Sequence, residues 1–159
     1  MWDIHVMSHV YAARACLPKM LARGSGYFLN TASAAGLLSQ VGDAAYSVTK
    51  HAAVGFAESL LITHGDDGVK VSCLCPQAVQ TRMIGGVEAG GTAGVDGILT
   101  PAEVADAVVK GIEVGQFLIL PHPQVEQYRA GKTENYDRWI GGLRKLRRRF
   151  AGLMDIKAS

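Results

Sequence analysis

Residues 26–50 read GYFLNTASAAGLLSQVGDAAYSVTK, and the way this stretch divides decides the fold. GYFLNTA, residues 26–32, is short and apolar, the pattern of a buried strand. The Ala- and Gly-rich residues 34–43 follow as a loop. A helix then runs over 44–64, where Val48, Ala52, Phe56, Leu60 and Thr63 form one stripe. Ser33 stands at the end of the strand, Tyr46 thirteen residues later and Lys50 four beyond that. A separation of four puts Tyr46 and Lys50 on one helical face, with Cβ atoms about 5–6 Å apart.

A phenol with a pKa near 10 is a poor acid or base at neutral pH, but a fixed cation beside it stabilises the phenolate. Tyr46 with Lys50 is therefore a candidate acid/base pair. A hydroxyl from Ser33 at the strand end is placed to hold a carbonyl or alcohol oxygen next to it. Such a set suits hydride transfer, in which a proton moves with the hydride. The spacing alone also fits an amphipathic helix with a solvated lysine. The order strand, Ser, Tyr, Lys, helix, and then a second strand ending in VSCLCP is what favours the chemistry.

Residues 30–50 resemble the active-site segment of the short-chain dehydrogenase/reductase family, N-x-(S)-S-x-x-G followed by Y-x-x-x-K, with Ala32 in place of the motif's first serine. The resemblance implies a Rossmann-like, doubly wound α/β fold with a parallel sheet. It also implies an NAD(P)-dependent oxidoreductase that interconverts a secondary alcohol and a carbonyl. Ser33, Tyr46 and Lys50 would be catalytic, and Asn30, Tyr46, Lys50, Pro76 and Thr81 would contact NAD or NADP. Pro76 and Thr81 match the family's P-G-x-x-x-T segment, with Gln77 at the glycine. His5, in the segment Asp3, Ile4, His5, stands where the family carries a tetrad asparagine.

No G-x-G-x-x-G occurs in the chain, so the phosphate-binding turn of a dinucleotide fold is missing from it. In family terms the sequence corresponds to the second half of the fold, with three strands, their flanking helices and a C-terminal helix. Residues 1–123 would form that half and 124–159 a basic amphipathic helix. An inactive remnant that serves as an oligomerisation module is the alternative reading. Helices 2–22 and 44–64, which commonly build a dimer contact in the family, would supply its interface.

Outward from this centre, Val6, Val10, Ala13, Leu17, Met20 and Leu21 recur at helical spacing, Pro18 interrupts them and Gly24 is a stop. Residues 69–75 read as a strand halted by Pro76. Six glycines between Gly85 and Gly97 make 82–99 a flexible segment, and in the resembling enzymes this region is a lid over the substrate. Met83 and Ile84 are its candidate substrate-facing residues. Thr100-Pro101-Ala102-Glu103 is a capping box that opens a helix, and residues 117–120 form the last strand.

The chain has 159 residues, 48% of them hydrophobic and 19% charged, which describes a globular protein with a core. Three cysteines, Cys16, Cys73 and Cys75, form no zinc pattern and read as buried thiols, so no metal is expected. The absence of a leader-like or spanning segment suggests the cytoplasm. Net charge is divided unevenly. Residues 1–123 carry seven Lys/Arg against ten Asp/Glu, and residues 124–159 carry nine against four. Tyr136, Trp139, Leu143, Leu146, Phe150 and Leu153 recur at steps of three and four amid Arg144, Lys145, Arg147, Arg148 and Arg149. That helix can pack on its own body, pair with another subunit or lie on an anionic membrane. Nucleic acid is not expected, because no reading motif accompanies the charge.

Overall fold

The computed structural model describes residues 1–84 and 88–150, with backbone alone for 88–90. In chain order it has α1 (Ser8–Arg23), β1 (Gly26–Thr31), α2 (Ala44–His64), β2 (Val69–Leu74), α3 (Pro101–Glu113), β3 (Leu118–Ile119), α4 (Gln124–Glu134) and α5 (Tyr136–Arg149). The three strands form one parallel sheet in the order β1-β2-β3, with Gly26 opposite Val69 and Cys73 opposite Leu118. Each parallel pair is joined by a helical crossover, α2 for the first and α3 for the second.

The strand β2 is covered on both faces, and its two-residue alternation shows how. Val69, Val71, Cys73 and Cys75 face one way, into a cluster with Ala13 of α1 and Ala53, Val54, Ala57 and Leu60 of α2. Leu74 faces the other way, against Val104 of α3 and Ile119. Helices on both faces of a parallel sheet give the expected doubly wound architecture. Small residues on α1 and α2 bring the helices close to the sheet, and Ala53 and Ala57 are fully buried. The Cys73 and Cys75 thiols are 3.8 Å apart in this layer, and Cys73 is held protonated by its hydrogen bond to Cys75 and by burial.

Local signals set the ends. Gly24 adopts a left-handed conformation (φ 65°) and closes α1, which runs through Pro18 without breaking. Thr100 and Glu103 exchange the two hydrogen bonds of a capping box at the start of α3. Ahead of α1, Asp3–Met7 forms a π-helical turn centred on His5.

One expectation needs correction. Residues 124–159 are not one helix: α4 ends at Glu134, and Asn135 turns extended (φ −152°, ψ 100°) so that its side chain can accept the Arg138 N–H and start α5. Residues 151–159, with Leu153 of the apolar pattern, lie outside the described residues. The glycine-rich 82–99 segment, read as a flexible lid, carries local structure among its described residues. It contains short 3₁₀ turns at Arg82–Ile84 and Glu88–Gly94, and Val79 pairs with Leu99 in a parallel bridge. Of that segment, residues 85–87 lie outside the described residues.

Candidate active site

Beyond the C-terminal ends of β1 and β2 the chain opens into a cavity of about 1160 Å³. This is where open α/β sheets hold ligands, because the strand ends and the following loops converge there. The β1–β2 backbone ladder continues past the strands: Ala32 N–H donates to the Leu74 carbonyl (2.8 Å) and Ala34 N–H to the Pro76 carbonyl (2.9 Å). Ser33 is thereby fixed between the two loops.

Ser33 is buried and extended, and its Oγ accepts the Ala35 N–H at 3.1 Å, capping a 3₁₀ turn at Ala34–Gly36. The hydroxyl proton points to the Pro76 carbonyl at 3.4 Å, a long contact that leaves it available to a ligand oxygen. Gly36 sets the turn against α2. A Cβ there would lie 2.5 Å from the Lys50 carbonyl oxygen and 2.9 Å from Val54 Cγ2, so the serine turn reaches its place only with glycine.

Tyr46 lies in the first turn of α2. Asp43 caps that helix by accepting the Tyr46 N–H at 2.8 Å. Lys50, one turn on, places Nζ 5.6 Å from the centre of the Tyr46 ring. Lys50 is 8% exposed, and its ammonium donates one long hydrogen bond among the described residues, 3.4 Å, to the Thr31 carbonyl. Burial lowers the Lys50 pKa. Ahead of Tyr46, Ser39 holds a positive φ of 130°, a strained conformation in a residue that lines the cavity.

The cavity brings together Ser33, Tyr46, Lys50, Pro76, Thr81, Met83 and Ile84, seven of the residues singled out in the sequence. Gln77 joins them without a left-handed backbone, so its replacement of glycine strains nothing at that position. Two predicted residues do not line the cavity. Asn30 is buried on the strand, and its Nδ2 has no hydrogen-bond partner among the described residues. His5 packs edge-on against the Tyr46 ring (5.4 Å between centroids), and its Nδ1 meets Thr49 Oγ1 at 2.9 Å. Burial, and then Lys50, lower the His5 pKa, so the ring is neutral at physiological pH.

Sequence reasoning missed three contributors. His9, one turn after His5, faces Asn30 and the Thr31 carbonyl, with its pKa lowered by burial and by Lys50. The i, i+4 step from His5 is its only trace in the sequence. Helix α5 lays Trp139, Leu143 and Leu146 along the cavity, and Phe150, just past its end, joins them. The tail's apolar spacing announced a face to be covered, but not what it would cover. Lys132 of α4 donates to the Leu37 carbonyl at 2.6 Å, tying the C-terminal helices to the serine turn.

Among known proteins, the profile of the family described as short chain dehydrogenase matches residues 1–90. The chain is 34% identical over 119 residues to 1-deoxy-11-beta-hydroxypentalenate dehydrogenase of Streptomyces exfoliatus, covering 74% of this chain and 43% of that one. It is 34% identical over 121 residues to human estradiol 17-beta-dehydrogenase 11, covering 74% and 39%. Among solved structures, a short chain dehydrogenase/reductase of Burkholderia phymatum in complex with NAD superposes with a TM-score of 0.73 at 28% identity, covering 86% of this chain and 57% of that one. A short chain dehydrogenase of Burkholderia cenocepacia in complex with NADP is alike in fold, with a TM-score of 0.77 at 18% identity over 89% and 56%. The chain thus spans less than half the length of these two curated relatives. The family profile nevertheless matches more than half of the chain, and this chain belongs to the short-chain dehydrogenase family.

Proposed function

We propose that this chain carries the catalytic half of an NAD(P)-dependent oxidoreductase that interconverts a secondary alcohol and a carbonyl. The observation that supports this most is the convergence of the Ser33 hydroxyl, the Tyr46 ring and the buried Lys50 ammonium on one cavity. The residues present fit a nicotinamide cofactor. A buried ammonium with one long hydrogen bond has donors to spare for ribose hydroxyls, and residues 76–81 border the same space. When bound, the cofactor supplies or accepts the hydride.

The protein's own residues do the rest. Ser33 Oγ donates to the substrate oxygen and holds it beside Tyr46. Tyr46 gives its phenolic proton to that oxygen in reduction and takes it back in oxidation. Lys50 stabilises the negative charge left on the phenolate. His5, packed on Tyr46 and bonded to Thr49, steadies the first turns of α2. Leu38, Val41, Met83, Ile84 and the α5 side chains make much of the cavity apolar, which suits a bulky apolar alcohol or ketone. The similar dehydrogenases named for hydroxypentalenate and estradiol accord with that choice.

The test is a titration of the 159-residue chain with NADH and NADPH, followed by a panel of apolar ketones. Saturable fluorescence enhancement of one dinucleotide and ketone-dependent loss of its reduced form are expected. Failure to bind either dinucleotide at millimolar concentration would leave the remnant reading. The exposed Ile4 of the π-helical turn, Tyr11 of α1 and Val48 and Ile62 of α2 suit that reading as an oligomer interface.

A further inference from the structure

His122, between Pro121 and Pro123 after β3, is 2% exposed and belongs to none of the machinery above. Its Nδ1 accepts the backbone N–H of Gln77 at 3.2 Å, which anchors the loop that runs from Pro76 to Thr81 along the cavity. An imidazole accepts at Nδ1 only when that nitrogen is unprotonated, so the proton of the neutral ring resides on Nε2. Nε2 is buried without a hydrogen-bond partner in the described residues. The ring also faces the carbonyls of Ala78 and Gly97 and the carboxylate of Asp96. Asp96 Oδ1 accepts from Tyr128 of α4 at 2.8 Å, while its Oδ2 is buried with no hydrogen-bond partner among the described residues.

The same residues tie two segments together. Ala78 N–H donates to the Ala93 carbonyl, Leu99 N–H to the Ala78 carbonyl and Gln80 N–H to the Leu99 carbonyl. His122 thus stands where the 76–81 loop, the 93–99 segment and α4 meet.

We propose that His122 is a positioning residue that, as the neutral ring, holds the Gln77 N–H and so fixes the cavity-lining 76–81 loop, and that releases this loop when it takes up a proton. Protonation turns Nδ1 into a donor facing another donor, while the new charge is drawn to the buried Oδ2 of Asp96. Asp96, with Tyr128 behind it, supplies the titratable groups that face the ring. Burial lowers the His122 pKa and Asp96 raises it in part, with a net lowering. A histidine held low in the fold favours the neutral form. Its contribution is complete above the ordinary histidine value of about 6.5 and is lost as pH falls through the lowered value. The proposal rests on reading residues 76–81 as a wall of the ligand site.

The experiment is amide exchange of Gln77 in the intact chain without ligand, at about pH 8 and about pH 5, corrected for intrinsic rates and referenced to Cys73 in β2. In the wild type, exchange should accelerate about fivefold or more at the acid pH, the worth of one hydrogen bond of about 1 kcal/mol. His122→Asn keeps an acceptor near the Nδ1 position but takes up no proton, and Gln77 should stay protected at both pH values. His122→Ala should leave it exposed at both. A wild-type rate unchanged by pH, or a pH response in His122→Asn equal to that of the wild type, overturns the proposal even if His122→Ala fails to fold. Because no ligand is present, a chain that binds no dinucleotide sinks the functional reading and leaves this measurement intact.

Discussion

At Lys50 the chain buries an ammonium with one long hydrogen bond among the described residues, an arrangement that weakens the fold. The sign of its pH dependence follows from burial lowering the Lys50 pKa. Between the lowered value and the ordinary lysine value near 10.4, the unfolded chain binds more protons, so stability rises with pH across that window. Lys50→Met should therefore stabilise the protein by about 1 kcal/mol at neutral pH while abolishing turnover. Thermal melts of both proteins should converge as pH rises through the window. Gly36→Ala tests the other side of the site. With a Cβ 2.5 Å from the Lys50 carbonyl, the serine turn must move, at a cost of about 1–3 kcal/mol. Urea midpoints should fall, and ketone reduction should fall further than the midpoints explain. Ser33, Tyr46 and Lys50 were legible in sequence because strand end and helix start fix their meeting place. His9 and His122 were not, because their partners are 21 or more residues away, at Asn30 and Thr31 for one and Gln77 and Asp96 for the other.

At the scale of elements, signals confined to a few residues read correctly: the capping box at Thr100, the stop at Gly24 and the bounds of α2. The tail was misread because its apolar period gives no weight to one capping residue, and Asn135 divides it. Asn135→Ala should therefore act locally. Losing the bond from Arg138 N–H costs α5 about 1 kcal/mol and frees Trp139 from the cavity wall. A red shift in tryptophan emission with little change in the main thermal transition is expected, since no α5 side chain is among the described hydrophobic residues packed on the sheet's buried clusters. Substrate KM should rise more than cofactor affinity falls.

At the scale of the molecule, the described sheet has β1 at one edge, with its outer hydrogen-bonding groups unpaired by another strand. Val48 and Ile62 stand 61% and 84% exposed on α2. Paired copies would cover such faces, so sedimentation should find a dimer, and Ile62→Glu should shift it toward monomer. Among the described residues, no helix is long and apolar enough to cross a membrane. The architecture followed from the order of strand and helix signals, whereas the cavity's apolar wall depended on where α5 comes to rest, which only tertiary packing decides. The central claim, that Tyr46 moves the proton that accompanies the hydride, is tested most directly by the rate of NAD(P)H consumption with an apolar ketone, wild type against Tyr46→Phe. Consumption by the wild type and a fall of about 100-fold or more in the variant, with the melting temperature unchanged, is the predicted result. Equal rates in the two proteins would contradict it.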